Sequence, residues 1–145
     1  MSIWTIEMDI GRLHRGFPGT ILEHLEITID AVGDDYLTAS MPVDHRTIQR
    51  MGILHGGASV VLAESVGSIA SNCCIDQATL AAVGLQINAN HIRPVSSGRV
   101  SGTARPLHLG FRTHVWRIAL QDENGRRTCE CTLTTSVITR KSLGL

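Results

Sequence analysis

Residues 52–71 read GILHGGASVVLAESVGSIAS, and this stretch decides the fold. It predicts one long helix over residues 56–75, with apolar side chains spread around the whole circumference. A helix of this kind is typical of a buried position. Small residues recur along it at intervals of about one turn: Ser59, Ala63, Gly67 and Ser71. Because glycine in a helix interior costs about 1 kcal/mol relative to alanine, Gly67 indicates close packing against another element.

The segments on either side of this helix predict strands. Two precede it and are followed by a loop over 44–55; these strands cover residues 22–32 and 36–43. Four more follow it, separated by turn residues: 80–93, 98–108, 112–121 and 127–138. Consecutive strands joined by short turns pair antiparallel. The predicted fold class is therefore α+β, an antiparallel sheet of five to six strands wrapped around one long central helix.

The chain has 145 residues, which corresponds to a single domain, residues 1–145. Residues 1–20 form an N-terminal extension, with a short helix predicted over 5–15. Thirteen basic residues balance thirteen acidic ones, so neither a nucleic acid nor a membrane surface is expected as a partner. Residues 77–145 nevertheless hold nine bases and only three acids. This is either ordinary surface charge or the binding surface for a phosphorylated ligand.

Four cysteines form no C-x-x-C pair: Cys73, Cys74, Cys129 and Cys131. They predict reduced, buried thiols, and they do not favour a zinc ribbon or a thioredoxin-like site. Glu7 and Asp9 lie where a signal peptide is apolar, so a cytoplasmic location is expected. Because no pair of histidines has the H-E-x-x-H spacing, we expect neither a metal nor another cofactor.

The predicted helix carries one acidic side chain, Glu64, at a position expected to be buried. A buried carboxylate is costly without a partner, so Glu64 belongs to an ion pair, bonds to Ser68 or carries chemistry. The helix begins at Gly56-Gly57. Two glycines at a helix start leave unpaired backbone amides at the positive end of the helix dipole, with no side chain to block a ligand. Such a position can bind an oxygen atom that gains negative charge. The combination favours catalysis at a carbonyl group.

Gly56 and Glu64 are eight residues apart, which is about 12 Å along a helix. The two groups therefore cannot both reach one carbonyl carbon within a single chain. Two antiparallel helices related by a two-fold axis would place Gly56 of one chain opposite Glu64 of the other. We predict an obligate homodimer with two equivalent sites, each built from both chains.

The chain also carries a set of motifs around Gln49, 54–65 and Gly67-Ser68, and further ones at 33–35, 41–44, 87–91 and 106–110. Together they resemble the hotdog-fold acyl-CoA thioesterases over most of the chain beyond residue 20. The likeness is to the PaaI-like group, with the Arthrobacter-type 4-hydroxybenzoyl-CoA thioesterases and the enterobacterial aryl-thioesterases of menaquinone and enterobactin pathways. It implies a hotdog fold and hydrolysis of an aryl or small acyl-CoA to free acid and CoA.

The resemblance assigns a role to five residues of the predicted site. Glu64 would be the nucleophile or the general base, and the Gly56 amide would form the oxyanion hole. His55 and Gln49 would orient the thioester and support the leaving group. Ser68 would place the carboxylate or the attacking water.

A second set matches CoA-binding positions of the group: Gly84, His91, Ile92, Arg93, Pro94, His108, Leu109, Gly110, Phe111, Arg112 and Thr113. Of these, Arg93 and Arg112 are the candidates for phosphate contacts. The resemblance further implies that homodimers form a homotetramer, and that an acyl carrier protein is an alternative substrate. Arg50 and Met51 stand where close relatives carry Pro-Phe, which leaves the acyl group open. Two alternatives remain, a hotdog-fold enoyl-CoA hydratase or dehydratase and a non-catalytic CoA-binding module.

Overall fold

The computed structural model describes residues 1–144 and contains one antiparallel sheet beside one long helix. The strands are β1 Thr28–Val32, β2 Leu37–Pro42, β3 Leu80–His91, β4 Arg99–Leu109, β5 Thr113–Asp122 and β6 Arg127–Thr139. The helices are α1 Ile10–His14, α2 Ile21–His24 and α3 Gly56–Cys73, and a 3-10 turn follows at Arg140–Leu143. The strand order β1-β2-β4-β5-β6-β3 confirms the predicted α+β class. No helix in this part of the chain is long and apolar enough to cross a bilayer.

The row of small residues along α3 packs directly on the sheet, as predicted. All four of its members are buried: Ser59, Ala63, Gly67 and Ser71. A Cβ on Gly67 would lie 2.6 Å from Cδ2 of Leu133 on β6, so a larger residue requires repacking there. The hydroxyl of Ser71 accepts a hydrogen bond from Nε1 of Trp116 at 2.6 Å and lies 2.8 Å from Oγ1 of Thr135. The contact between helix and sheet therefore includes buried hydrogen bonds.

The prediction that α3 is buried on all sides is wrong for a single chain. The sheet buries one face of the helix, and five residues outside that face remain partly exposed: Val60, Val61, Glu64, Ser65 and Ser68. The apolar residues spread around α3 consequently indicate that a further surface covers this side.

The N-terminal region departs from its prediction in two places. The helix predicted over 5–15 is limited to α1, because Thr5 donates through its N–H to the Cys73 carbonyl (2.9 Å) and through Oγ1 to that of Ile75 (2.8 Å). The strand predicted over 22–32 is limited to β1, because Thr20 caps α2 by accepting from the Leu22 N–H at 3.2 Å. Local hydrogen bonds overrule the alternating pattern at this point.

β3 is an edge strand, paired with β6 on one side and with no strand on the other within residues 1–144. Leu85 is a bulge residue, at which the register with β6 slips. Because of the bulge, four residues of β3 lie opposite buried residues of β6, on the side facing α3: Gly84, Ile87, Ala89 and His91. A long unpaired edge is usually shielded or paired in proteins.

Candidate active site

The first turn of α3 leaves one backbone donor without a partner among residues 1–144. His55 is the N-cap, and its Nδ1 accepts a hydrogen bond from the Gly57 N–H at 2.8 Å. The carbonyl of His55 accepts from the Ala58 and Ser59 N–H groups at 2.9 and 3.2 Å. Among these four amides, only the Gly56 N–H lacks an acceptor in the described chain. The positive end of the helix dipole lies at the same place as this N–H group. The start of α3 can therefore bind an oxygen atom that carries negative charge.

A cavity of about 410 Å³ opens beside Gly56. Gln49 lines the same cavity, together with residues 91–95. The side-chain oxygen of Gln49 accepts a hydrogen bond from the Met51 N–H at 2.7 Å, so its NH₂ group remains as the donor for a ligand. Gly56 and Gln49, which were predicted to act on one thioester, therefore share a cavity.

Charged groups hold the loop that carries Gln49. The Arg46 guanidinium donates to the Asp44 carboxylate and to that of Glu26. The hydrogen bonds that the side chain and the backbone N–H of Arg46 donate to Asp44 lower the pKa of that carboxyl group to about 2. The loop is closed by the Gln49 N–H, which donates to the Ile53 carbonyl at 2.8 Å. The amide of Gln49 is thus presented from an anchored segment.

The His91 imidazole packs against Gly56. A Cβ on Gly56 would lie 2.7 Å from Nε2 of His91, so only glycine allows the ring to approach this closely. The two residues that follow are held from β6, since the Thr128 carbonyl accepts from the N–H groups of Ile92 (2.8 Å) and Arg93 (3.2 Å). Thr128 also lines the cavity. It could not be identified from the sequence, because only the register of β3 on β6 brings it here.

Glu64 lies outside this cavity, on the half-exposed side of α3. Its carboxylate contacts Gly84 of β3 so closely that a Cβ on Gly84 would overlap Oε1 and lie 3.3 Å from Cδ. Ser68 is one turn further along but does not bond to it, and the structure shows no ion pair of Glu64 within residues 1–144. Neither structural explanation of this carboxylate therefore applies in the single chain.

The His55 side chain turns away from the Gln49 amide. It lines a separate cavity of about 320 Å³ with Ala58, Val61 and Ile21. Because Nδ1 accepts from the Gly57 amide, the proton of the neutral imidazole is on Nε2. A single chain does not bring His55 and Gln49 into one cavity.

The turn between β4 and β5 carries the second half of the predicted CoA-binding set. His108 and Leu109 end β4, and the Gly110 N–H donates to the Thr113 carbonyl at 2.9 Å to close the turn.

Phe111 and Arg112, at the tip of this turn, line a cavity of about 350 Å³ next to Leu80. Leu80 and His91 are the two ends of β3. The strand rises about 3.3 Å per residue, so these ends are about 36 Å apart. Apart from Gly84, which lies against Glu64, the predicted CoA-binding residues fall into two groups that a single chain does not bring together.

The pattern of the thioesterase superfamily matches residues 51–129, more than half of the chain. The chain is 48% identical over 136 residues to the 1,4-dihydroxy-2-naphthoyl-CoA hydrolase of Escherichia coli K12, covering 94% of this chain and 99% of that protein. It is 45% identical over 136 residues to the proofreading thioesterase EntH of Cronobacter sakazakii, and the match covers 94% of this chain and 98% of that protein. The crystal structure of a mutant thioesterase from Pseudomonas aeruginosa superposes with a TM-score of 0.94 at 48% identity, and the match covers 95% of this chain and 99% of that chain. These similarities confirm the predicted hotdog fold and thioester hydrolase activity. The chain belongs to the thioesterase superfamily.

Proposed function

We propose that the protein hydrolyses acyl-CoA thioesters to a carboxylic acid and CoA in a site shared by two chains. The observation that carries the proposal is the unpaired Gly56 amide at the positive end of α3, beside a cavity that also holds the Gln49 amide. The carbonyl oxygen of a thioester gains negative charge when the carbon is attacked, and donors fixed in advance stabilise that charge. Hydrolysis of a CoA thioester is also the activity in the name of the Escherichia coli relative.

The second chain is needed because Glu64 does not reach the Gly56 cavity. Two uncovered features of the fold indicate where that chain would bind. The free edge of β3 carries Leu85, which is 66% exposed, and Ile92 beyond its end is 55% exposed. The side of α3 with Val60 and Glu64 is half-exposed. Antiparallel pairing of β3 with β3 of a second copy would continue the sheet and cover both features.

One register of this pairing satisfies the alternation of side chains. If the two-fold axis passes at Asn88, Ile87 of one chain lies opposite Ala89 of the other. Because Leu85 is an extra residue at the bulge, the same register places His91 opposite Gly84. His91, Gly84, Ile87 and Ala89 all lie on the side facing α3, so the pairing keeps the helices on one side of the joint sheet.

This register brings the two halves of the reaction centre together. Gly56 packs on His91 of its own chain, and Glu64 packs on Gly84 of its own chain. Residues opposite one another in an antiparallel pair have Cα atoms about 4.5–5.5 Å apart. Gly56 of one chain and Glu64 of the partner therefore flank the same point of the interface.

The same register joins the two groups of CoA-binding residues. The chain beyond His91 continues towards the Leu80 end of the partner's β3, where Phe111 and Arg112 line their cavity. Arg93 of one chain and Arg112 of the other then serve one ligand. Neither forms an ion pair within residues 1–144. Nη1 of Arg93 donates to the Arg127 carbonyl at 2.9 Å, which leaves its other N–H groups and the Arg112 guanidinium for phosphates.

Two chemical routes lead from this arrangement to the products. Glu64 attacks the carbonyl carbon, expels the CoA thiolate and forms an anhydride that water then cleaves. Alternatively, Glu64 takes a proton from a water molecule that attacks the carbon directly, and the thiolate leaves from the tetrahedral intermediate. In both routes the Gly56 amide stabilises the oxyanion, and the leaving thiolate is protonated to CoA-SH.

Glu64→Ala tests the role of the carboxylate. We expect turnover, followed as thiol release from a panel of aryl- and alkyl-CoA esters, to fall by orders of magnitude while ester binding measured by calorimetry persists. Glu7→Ala removes an exposed carboxylate elsewhere and serves as the control. Turnover of Glu64→Ala close to that of the control would contradict the proposal.

A mixed dimer tests whether the site is shared. One chain carries Glu64→Ala and the other Gly56→Ala, and the heterodimer is purified by two different tags. Alanine keeps the N–H of residue 56, but its Cβ would lie 2.7 Å from Nε2 of His91 and forces the start of α3 out of position. One of its two sites keeps both native groups, so we expect about half of the wild-type turnover, whereas each homodimeric variant is inactive. If each site belonged to one chain, the heterodimer would be inactive as well.

A further inference from the structure

Cys129 is a buried thiol, 1% exposed, directly opposite His91 in the register of β3 on β6. Its Sγ lies 3.5 Å from Nδ1 of His91 and 3.6 Å from Sγ of Cys131. On the other side of the imidazole, Nε2 approaches Gly56. The side chains thus form a line from Cys131 in the core to the amide that faces the thioester. Neither thiol takes part in the reaction described above.

The direction of these hydrogen bonds follows from the groups involved. An imidazole nitrogen is a stronger acceptor than a thiol sulfur, which favours the arrangement in which the Cys129 S–H donates to Nδ1 of His91. The Cys131 S–H in turn donates to Sγ of Cys129, its side-chain partner within residues 1–144. The hydrogen bond between the two thiols raises the pKa of Cys131 and lowers the pKa of Cys129.

The hydrogen bond to Nδ1 decides where the proton of His91 lies. A neutral imidazole carries one N–H, and when Nδ1 accepts a hydrogen bond that proton is on Nε2. Nε2 is the nitrogen beside Gly56. In that form the ring N–H of His91 and the backbone N–H of Gly56 belong to neighbouring residues that line the same cavity.

We propose that Cys129 is a positioning residue of the thioesterase site, whose thiol holds His91 in the Nε2–H form so that the imidazole and the Gly56 amide together bind the thioester oxygen. The inference rests on the proposed function, since it concerns the same oxygen. A positioning role differs from a purely structural role. In a structural role the thiol of Cys129 only fills space in the core, and any apolar residue of similar size can replace it.

The kinetic test compares Cys129→Ala with Cys129→Ser, which keeps an O–H donor. We expect kcat of Cys129→Ala to fall by about 10- to 100-fold, less than the 10²–10³-fold cost of removing an oxyanion donor outright, with KM little changed. Cys129→Ser should recover most of the loss. Cys73→Ala is the matched control, because Cys73 is also 1% exposed but lies on α3, away from His91.

The spectroscopic test uses protein with ¹⁵N-labelled histidine and long-range ¹H–¹⁵N NMR, at a pH where His91 is neutral and without substrate. Wild type and Cys129→Ser should show the Nε2–H form, and Cys129→Ala should gain the Nδ1–H form. An Nδ1–H form in the wild type would overturn the inference, as would an unchanged tautomer and kcat in Cys129→Ala or an equal kcat loss in Cys73→Ala. Because this readout needs no turnover, a wild-type protein that releases no thiol would refute the proposed function and leave the tautomer result to stand separately.

Discussion

Gly84→Ala displaces the Glu64 carboxylate without substituting any residue that reacts. A Cβ on Gly84 would overlap Oε1 of Glu64 and lie 3.3 Å from Cδ. Gly84 is not among the glycines with positive φ, so alanine adopts its backbone conformation without strain. The Glu64 side chain is half-exposed and has three rotatable bonds, so the carboxylate moves and the backbone stays in place. Reacting groups displaced by about 1 Å cost about 10²-fold in rate, and we expect a loss of kcat of this order.

The assay for Gly84→Ala is thiol release from an acyl-CoA at saturating substrate, combined with a thermal melt. We expect the melting temperature to stay close to that of the wild type, because only a flexible side chain is displaced. Gly102→Ala is the matched control, a strand glycine whose Cβ would lie at an ordinary 3.4 Å from Leu120. If Gly84→Ala retained wild-type kcat, or if both variants lost the same activity, the carboxylate would not need its present position.

Two further predictions concern stability. In Gly67→Ala the new Cβ would lie 2.6 Å from Cδ2 of the buried Leu133. Overpacking costs about 1–3 kcal/mol and the higher helix propensity of alanine returns about 1 kcal/mol, so urea unfolding should show a net loss of about 0–2 kcal/mol. A more stable variant would contradict the packing. Burial lowers the pKa of His114 below its ordinary value of 6.5. The unfolded chain therefore binds this proton more readily, and stability should fall as the pH drops from about 6.5 towards the folded pKa. A series of melts against pH measures this loss, which His114→Gln should reduce; an identical slope in that variant would exclude His114 as its source.

The sequence alone predicted the elements that repeat a clear side-chain pattern. The start of α3 at Gly56 and its row of small residues followed from helix geometry, which repeats every 3.6 residues whatever surrounds it. The strands after it followed from alternation and from turn residues, and each lies within a few residues of its prediction. The distance of about 12 Å between Gly56 and Glu64 required no fold at all, only the rise of a helix.

The tertiary structure decided how segments far apart in the chain meet. The register of β3 on β6 sets Cys129 against His91 and Thr128 against the residues that follow. Nothing within a few positions of any of these residues encodes that pairing, because it is fixed by the bulge at Leu85 and by packing on α3.

The sequence could not predict that the sheet of one chain buries only one side of α3. A pattern of apolar residues shows that a helix face is to be buried, but it does not distinguish burial by the same chain from burial by another. The sequence determined which groups this protein brings to a thioester: a helix-end amide, a carboxylate and a set of arginines. Only the tertiary structure decided which side of α3 stays open to a second chain, because one antiparallel sheet covers one side of a helix and leaves the other uncovered.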